Sequence, residues 1–94
     1  MSETVVGEFE WNTAKAARNL AKHGVSFDEA ITVLEDPSAL IEEDRTNHDH
    51  FIAIGCSDRS RVLFVVAYER EGERVRIVSA RKASAAQVRA YEGG

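Results

Sequence analysis

The spacing of apolar residues along the chain changes near residue 38. Before this point they recur every three or four positions, which predicts one helix over residues 13–23 and a second of about ten residues starting near residue 26. After this point they alternate with polar residues or form short apolar runs, which is typical of strands. The predicted strands cover residues 39–43, 51–56, 62–68 and 75–80.

Local signals mark the ends of both helices. Asn12 is a good N-cap for the first helix, and Gly24 is the residue type that most often follows a helix end. Ser26 and Glu29 form the S-x-x-E pattern of a capping box, and Pro37 stops the second helix. We expect the acidic residues of this second helix, Glu29 among them, to face solvent.

The first helix divides into an apolar side and a basic side. The side predicted to pack inward carries small or apolar residues: Ala16, Ala17, Leu20 and Ala21. The side predicted to face solvent carries polar and basic residues: Lys15, Arg18, Asn19 and Lys22. The helix therefore presents a row of positive charges along its exposed side.

The connections between the four predicted strands are short, which favours an antiparallel meander. Residues 62–68 are apolar on both faces, so we expect this strand in the middle of the sheet. A turn is expected at Glu71-Gly72. A short strand at residues 9–11 precedes the helices, and residues 83–91 are predicted to close the chain as a third helix.

The predicted order of elements is β-α-α-β-β-β-β-α. This is an α+β fold, in which the helices pack on one face of an antiparallel sheet. Ninety-four residues suffice for one core, so we expect a single domain over residues 1–94. Residues 1–8 are expected to be flexible or to form an edge strand.

Charge is distributed unevenly along the chain, whose net charge is −4. Residues 35–58 have a net charge of −6, whereas residues 59–94 carry eight positive charges against four negative ones. Local fields govern the binding of polyanions. The basic C-terminal third therefore keeps nucleic acid among the candidate partners, although the whole chain is acidic.

The residue content excludes several functional classes. Cys56 is the only cysteine, which rules out an intrachain disulfide and a multi-cysteine zinc site. No apolar run approaches the ~20 residues of a membrane span, and the N-terminus lacks the pattern of a secretory signal. We therefore expect a cytoplasmic protein that does not contact a membrane. Nucleophile elbows and phosphate-binding glycine loops are also missing from the sequence.

The candidate chemistry rests on three residues, Lys22, His23 and Arg81. Metal-free cleavage of RNA needs a group that takes the proton of the 2′-hydroxyl, a group that protonates the leaving 5′-oxygen, and cations that stabilise the extra charge. His23 carries an imidazole, a side-chain type that can serve as base or acid. Arg81, at a predicted strand end, offers a planar fork of donors to a phosphate. The alternatives are a histidine that caps its helix and a merely solvated strand end.

Further residues are candidate contacts to RNA. They are Arg61, Lys82, Arg45 and Tyr91. The three cations would position phosphates. The aromatic ring of Tyr91 could reach a base or ribose, although packing in the core is the other interpretation.

The segment of residues 42–50 contains two histidines and several carboxylates, which raises the question of a metal site. Successive side chains of a strand point to opposite sides, so the neighbouring carboxylates cannot all face one ion. We interpret this segment as a solvated hairpin loop. Neither a metal nor another cofactor is expected.

Three groups of residues resemble one protein family. They are Phe9-Glu-Trp-Asn12 with Lys15 and Asn19, then Lys22-His-Gly-Val-Ser-Phe27 with Glu29-Ala30, and finally Ile77-Val-Ser-Ala-Arg-Lys-Ala83 with Tyr91-Glu92. In this order and spacing they resemble the BrnT family, which comprises toxins of type II toxin–antitoxin systems. The resemblance covers roughly residues 9–92, nearly the whole chain.

The resemblance implies a fold like that of RelE-type toxins and an endoribonuclease that arrests growth by cutting RNA in the cytoplasm. It also implies a protein partner, a BrnA-type antitoxin with a ribbon-helix-helix part, which blocks the toxin. The complex would bind operator DNA through the antitoxin. The family's basic positions correspond to Lys22, His23, Arg61 and Arg81, the set that the chemistry suggests.

Three positions depart from the pattern expected of the family. Asn12 stands where Asp is expected, and both residue types cap helices. His50 replaces a basic residue, which would make one substrate contact depend on pH. Gln87 replaces a Glu, so a general base at that position would be missing. The alternative function is therefore a non-catalytic, toxin-like interaction module that acts only as an antitoxin-bound co-repressor.

Overall fold

The computed structural model describes residues 2–70 and 74–93, within which the chain forms six strands and three helices. The elements are β1 (Glu3–Val6), β2 (Phe9–Asn12), α1 (Thr13–His23), α2 (Phe27–Leu34), β3 (Leu40–Glu43), β4 (Phe51–Cys56), β5 (Val62–Glu69), β6 (Val75–Lys82) and α3 (Ala85–Tyr91). The first helix and the strand at residues 51–56 have the predicted bounds, and the other predicted elements differ by a few residues. The turn expected at Glu71-Gly72 lies outside the described residues.

The strands form one sheet in the order β1-β2-β6-β5-β4-β3. Strands β3 to β6 form the predicted antiparallel meander, and β5 lies in its interior between β4 and β6. Cys56 pairs with Val62, and Leu63 pairs with Lys82. The end of β4, the start of β5 and the end of β6 therefore share one end of the sheet.

The N-terminal part differs from the prediction. The chain turns at Gly7, with φ of 59°, so that β1 pairs antiparallel with β2 and forms the edge of the sheet. The predicted order of elements lacked β1, and β2 lies between this edge strand and β6. Phe9 of β2 lies opposite Val75 in a parallel pairing, so the sheet is mixed rather than wholly antiparallel.

Two helices cover one face of the sheet and enclose the core. Phe27 of α2 is buried and meets Trp11 edge-to-face, with ring centroids 5.8 Å apart. Leu63 and Val65 of β5 and Ala80 of β6 are fully buried on this face. The apolar residues of α2 thus pack as their helical spacing predicts.

The third helix does not share that face. Its N-cap is Ser84, whose side chain accepts a hydrogen bond from the amide of Gln87, and the helix begins at Ala85 rather than residue 83. Gln87 contacts Arg81, which lies over the ring of Phe64. Phe64 alternates with the buried residues of β5, so it projects from the opposite face. The prediction that all helices pack on one face is therefore wrong for α3.

Helix α1 is rotated relative to the prediction. Asn19 is buried, whereas Leu20 keeps 50% of its surface exposed. The Asn19 amide donates to the carbonyls of Val25 and Ala80, and its oxygen accepts from the amide of Ala80. Since β2 pairs only with the first residues of β6, the backbone groups of Ala80 need a partner on this side of β6, and Asn19 supplies it. This requirement outweighs the burial of one leucine.

Candidate functional site

Most of the predicted site residues gather where β4 ends, β5 begins and β6 ends. The end of helix α1 also lies here. The guanidinium of Arg61, at the start of β5, donates a hydrogen bond of 3.1 Å to the carbonyl of Gly24 just after this helix. Gly24 has φ of 71°, a left-handed conformation that glycine adopts without strain, and it turns the chain from α1 towards α2. We call this region the basic end, and it comprises Lys22, His23, Arg61, Arg81 and Lys82.

Among the described residues, the basic end has one strong ion pair, which joins Arg61 to Glu29. Arg61 Nε donates to Glu29 Oε2 at 3.0 Å, and its Nη2 donates to Glu29 Oε1. Ser57 adds a hydrogen bond of 2.6 Å to the same carboxylate. Hydrogen bonds from Arg61 hold the pKa of Glu29 below its ordinary value, although burial acts in the opposite direction.

This pairing changes the assignment of two residues. Glu29 was expected to face solvent, but its side chain is only 3% exposed. Ser26 caps the amide of Glu29 as predicted, yet the carboxylate turns to Arg61 instead of completing the capping box. The charge of Arg61 is thus compensated within the fold. Its main role in this geometry is to hold the start of β5 against the joint between α1 and α2.

A shallow groove of about 330 Å³ runs along the basic side of α1. It is lined by Lys15, Arg18, Asn19, Lys22, His23 and Val78, and we call it the α1 groove. Lys15, Arg18 and Lys22 are exposed and make no ion pair with a carboxylate in residues 2–70 or 74–93. Their charges are therefore directed at solvent, and His23 lies half-buried at the end of the row.

Arg81 occupies the other face of β6. Its guanidinium carbon lies 4.0 Å from the centre of the Phe64 ring, a cation–π contact. Its Nη1 donates to the carbonyl of Lys82 at 3.0 Å and contacts Gln87 Oε1 at 3.4 Å. Arg81 and the Lys22–His23 pair thus share one end of the sheet but lie on opposite faces. No hydrogen bond joins them in the described part of the chain.

Two of the residues predicted to contact RNA, Arg45 and Tyr91, do not join the cations of the basic end. Arg45 lies in the β3–β4 turn, at the opposite end of β4. The hydroxyl of Tyr91 donates a hydrogen bond of 2.6 Å to Asp36 Oδ2, which also accepts from the amide of Cys56. This bond lowers the pKa of Asp36 and raises that of Tyr91. Tyr91 fastens α3 to the end of β4, so its hydroxyl is already engaged.

Gln87, which stands at the position of the expected Glu, has a structural role. Its side-chain oxygen accepts a hydrogen bond of 2.8 Å from the amide of Ser84, and the Ser84 hydroxyl accepts from the amide of Gln87. These two bonds form a complete capping box at the start of α3. The S-x-x-Q spacing of residues 84–87 is the sequence signal that would have set this helix boundary.

The histidines of the β3–β4 turn have other partners. His48 Nδ1 lies 2.9 Å from a carboxylate oxygen of Glu43. The ring of His50 stacks on Tyr68, with centroids 5.0 Å apart and an interplanar angle of 8°. Within residues 2–70 and 74–93, no group of three or more metal-ligating side chains is placed to hold an ion.

The cations of the basic end and the α1 groove can hold a polyanion against a histidine. Point charges and guanidinium forks stabilise phosphate oxygens, and an imidazole moves protons near neutral pH. Sequence reasoning missed Lys15 and Arg18 as site residues, although it identified them as part of the basic side of α1. It also missed Glu29, because an S-x-x-E motif ordinarily places the carboxylate at the helix start.

No helix in the described part of the chain combines the length and apolar character that crossing a bilayer requires. Comparison with curated proteins found no match. Among solved structures, the chain is similar to the Brucella abortus ribonuclease toxin BrnT, determined at 1.1 Å resolution. The two share 29% sequence identity and superpose with a TM-score of 0.64, covering 79% of this chain and 92% of the other.

A family model also matches the sequence. It describes BrnT, a ribonuclease toxin of type II toxin–antitoxin systems, and it covers residues 11–87. The matched region contains α1, α2, the meander and the basic end. The chain therefore belongs to the BrnT family of ribonuclease toxins.

Proposed function

We propose that this chain is an endoribonuclease toxin that cuts RNA without a metal ion and thereby arrests growth in the cytoplasm. The observation that carries the proposal is the row of cations without carboxylate partners in the described residues, which leads along α1 to His23. A surface with unsatisfied positive charge beside a titratable imidazole suits a phosphodiester substrate.

The proposed reaction is attack of a ribose 2′-hydroxyl on the adjacent phosphorus. His23 exchanges one of the two protons, either as the base that accepts one from the 2′-hydroxyl or as the acid that donates one to the leaving 5′-oxygen, and solvent water exchanges the other. The new bond joins the 2′-oxygen to phosphorus and the bond to the 5′-oxygen breaks. The products are a 2′,3′-cyclic phosphate and a 5′-hydroxyl. Lys22 stabilises the charge of the intermediate phosphorane oxygens.

Arg81 and Lys82 contribute from the end of β6. Arg81 lies on the face opposite α1, so an RNA strand contacts both Lys22 and Arg81 only where it passes the end of β6 at Lys82. Arg61 is a positioning residue. Its bonds to Glu29 and to the carbonyl of Gly24 hold the joint between α1 and α2, next to His23. We assign no RNA contact to Arg45 or to the hydroxyl of Tyr91.

We further infer a protein partner, an antitoxin of the BrnA type with a ribbon-helix-helix part. The antitoxin would neutralise the toxin and carry the complex to operator DNA. The acidic surface along β3 and the following turn suits a basic partner through complementary charge.

The proposal is tested with two matched pairs of variants. His23→Gln and Arg81→Gln should each lower the rate of RNA cleavage by about 100-fold or more, because His23 exchanges a proton of the reaction and Arg81 holds a phosphate of the strand at the end of β6. The controls His48→Gln and Arg89→Gln remove the same groups from other surfaces and should cut like the parent. Reactions contain a chelator, and products are analysed for cyclic phosphate ends.

If a control variant lost as much cleavage rate as its matched site variant, the roles assigned to His23 and Arg81 would be contradicted. Cleavage that the chelator abolishes would contradict metal independence. Thermal unfolding of each variant separates a lost site from a lost fold.

A second function is favoured by one observation, the use of Gln87 in the capping box of α3. If a carboxylate at this position is needed for catalysis, the chain acts as a non-catalytic module that forms a co-repressor with the antitoxin. Expression of the chain alone distinguishes the two functions. Growth arrest with RNA decay supports the ribonuclease, whereas normal growth with soluble, folded protein that still binds the antitoxin supports the module.

A further inference from the structure

The α1 groove extends beyond the residues that the proposed reaction uses. Lys15, Arg18 and Lys22 stand at i, i+3 and i+7 of one helix, so they form a single row. With a rise of 1.5 Å per residue, the row is about 10 Å long. At about 3.4 Å per nucleotide of a stacked strand, this length corresponds to about three nucleotides. The row leads directly to His23 at the end of the helix.

The orientation of this row is fixed by the core. Asn19, which lies between Arg18 and Lys22 on the helix, is buried and makes three hydrogen bonds to the backbone of Val25 and Ala80. These bonds hold the basic side of α1 against the outer edge of β6. The floor of the groove is Val78, which the register irregularity between β5 and β6 leaves without a partner residue on β5.

The lining offers no free amide for reading the edges of bases, because the amide of Asn19 is already bonded to the backbone. The ring of His23 and the guanidinium of Arg18 can stack on a base, but stacking tolerates any base. Three flexible cations remain, and cations contact phosphates without regard to sequence. The chemistry of the groove therefore fits a sugar–phosphate chain rather than a particular base.

We propose that Lys15 and Arg18 bind the backbone phosphates of single-stranded RNA next to the cleaved linkage, so that the α1 groove is a track which delivers the strand to His23 without base selection. This inference rests on the proposed ribonuclease function and extends its substrate site by two residues. Base selection, where it occurs, must then arise outside the α1 groove.

The test measures RNA binding by the full chain without cleavage. The probe is a short single-stranded RNA whose 2′-hydroxyls are methylated, which cannot undergo the attack. Lys15→Gln with Arg18→Gln should weaken binding by about 10- to 30-fold at 0.1 M salt and reduce the slope of log K against log salt by about 1.4, since each contacted phosphate contributes about 0.7. The loss should be the same for adenine-rich and uracil-rich probes.

The single variant Arg18→Gln is compared with a matched control, Arg89→Gln. Each of the two removes one exposed guanidinium from a helix. The control should bind with the parent's affinity and salt slope. Unchanged affinity and slope in the double variant would overturn the track, as would a loss confined to one probe sequence. Loss of antitoxin binding with intact RNA binding would overturn it too, and would assign the groove to a protein partner.

The proposed ribonuclease function is tested separately, on unmodified RNA. It would be contradicted if the parent chain did not cleave this RNA. The substituted side chains make no hydrogen bond to the described residues, so we expect the thermal unfolding midpoint of the double variant to equal that of the parent.

Discussion

Two grooves of opposite charge border different strands of the sheet. The α1 groove borders β6 and is lined by Lys15, Arg18 and Lys22. The other, which we call the acidic groove, has a volume of about 700 Å³ and is lined by Ile41, Glu42, Glu43, His48, Asp49, His50, Phe51 and Glu69. The strands β6 and β3 that border them are separated by three interstrand spacings, about 14 Å.

The grooves also differ in how each is built. The helix that carries the charges of the α1 groove is held in a fixed orientation, because Asn19 anchors it between Arg18 and Lys22. The acidic groove is formed by the edge strand β3 and a turn, where Ile41 keeps 61% of its surface exposed. Part of its charge is compensated by the contact of His48 with Glu43. The difference is that the α1 groove is a pre-formed row of cations, whereas the acidic groove is a partly apolar edge.

This contrast explains why the net charge of −4 is a poor guide to function. Two separated surfaces of opposite sign cancel in the sum, whereas a ligand meets only one of them. A polyanion is attracted to the side of α1, and a basic partner to the side of β3. An RNA strand and an antitoxin would thus meet fields of opposite sign.

The largest effect should follow from removing the anchor of the α1 groove. Asn19→Ala leaves the backbone amide and carbonyl of Ala80 and the carbonyl of Val25 without this partner, and we expect the free energy of unfolding to fall by about 2–4 kcal/mol. Leu20→Ala, the adjacent change, should cost less than about 0.5 kcal/mol because half of Leu20 is already exposed. Denaturant unfolding measures both.

A larger loss for Leu20→Ala than for Asn19→Ala would show that apolar burial rather than this hydrogen bonding fixes α1. The RNA affinity of Asn19→Ala at a temperature where it remains folded should also fall, since its cations lose their alignment. Binding of a basic partner to the acidic groove should not change.

A smaller effect on the free energy of unfolding is expected from Glu29, and it depends on pH. The folded-state pKa of Glu29 lies below its ordinary value of 4.5, so its pairing with Arg61 contributes stability that is complete above about pH 4.5 and is lost as the pH falls through the lowered value. Glu29→Gln should cost about 1–3 kcal/mol at pH 7. Its deficit relative to the parent should shrink between pH 7 and pH 3, because protonation of Glu29 below its ordinary pKa of 4.5 stabilises the unfolded state of the parent.

Urea unfolding at both pH values gives this difference. Glu35→Gln is the matched control on the surface just after α2, where the side chain is exposed. It should unfold like the parent at both values. A Glu29→Gln deficit that is the same at pH 7 and pH 3 would contradict a stabilising charge on Glu29.

The smallest effect is expected in the acidic groove. Glu42→Gln should change the affinity for single-stranded RNA by less than about twofold at 0.15 M salt, because the Debye length of about 8 Å is shorter than the distance between the grooves. Arg18→Gln removes a charge of equal size and should weaken binding severalfold. A gain for Glu42→Gln as large as the loss for Arg18→Gln would show that RNA also passes the acidic side.

The helices and the meander could be predicted because their signals are local. Asn12 and Gly24 bound α1 in the sequence as they do in the structure, and short apolar runs located β4 and β5. The hairpin of β1 and β2 and the parallel pairing of β2 with β6 could not be predicted. A parallel contact between segments more than 60 residues apart leaves no local pattern.

The candidate site was predictable in content but not in arrangement. The residue types of the basic end can be read from the chain, yet their spacing gave no indication that Arg61 is compensated by Glu29, 32 residues away. Nor did it show that Arg81 and His23 lie on opposite faces of β6. Arg45 seemed equivalent to the other cations until the register of β4 separated it from them.

The sequence by itself determined the local elements, the class of fold and, through short motifs, the family. These depend on interactions between residues close in the chain, such as caps, helical spacing and strand alternation. Only the tertiary structure decided which side of α1 is buried. On the side of β6 away from β5, the backbone of Ala80 has no strand partner, and the amide of Asn19, 61 residues earlier, bonds to it instead. That long-range bond turned the basic side of α1 towards β6 and so formed the groove.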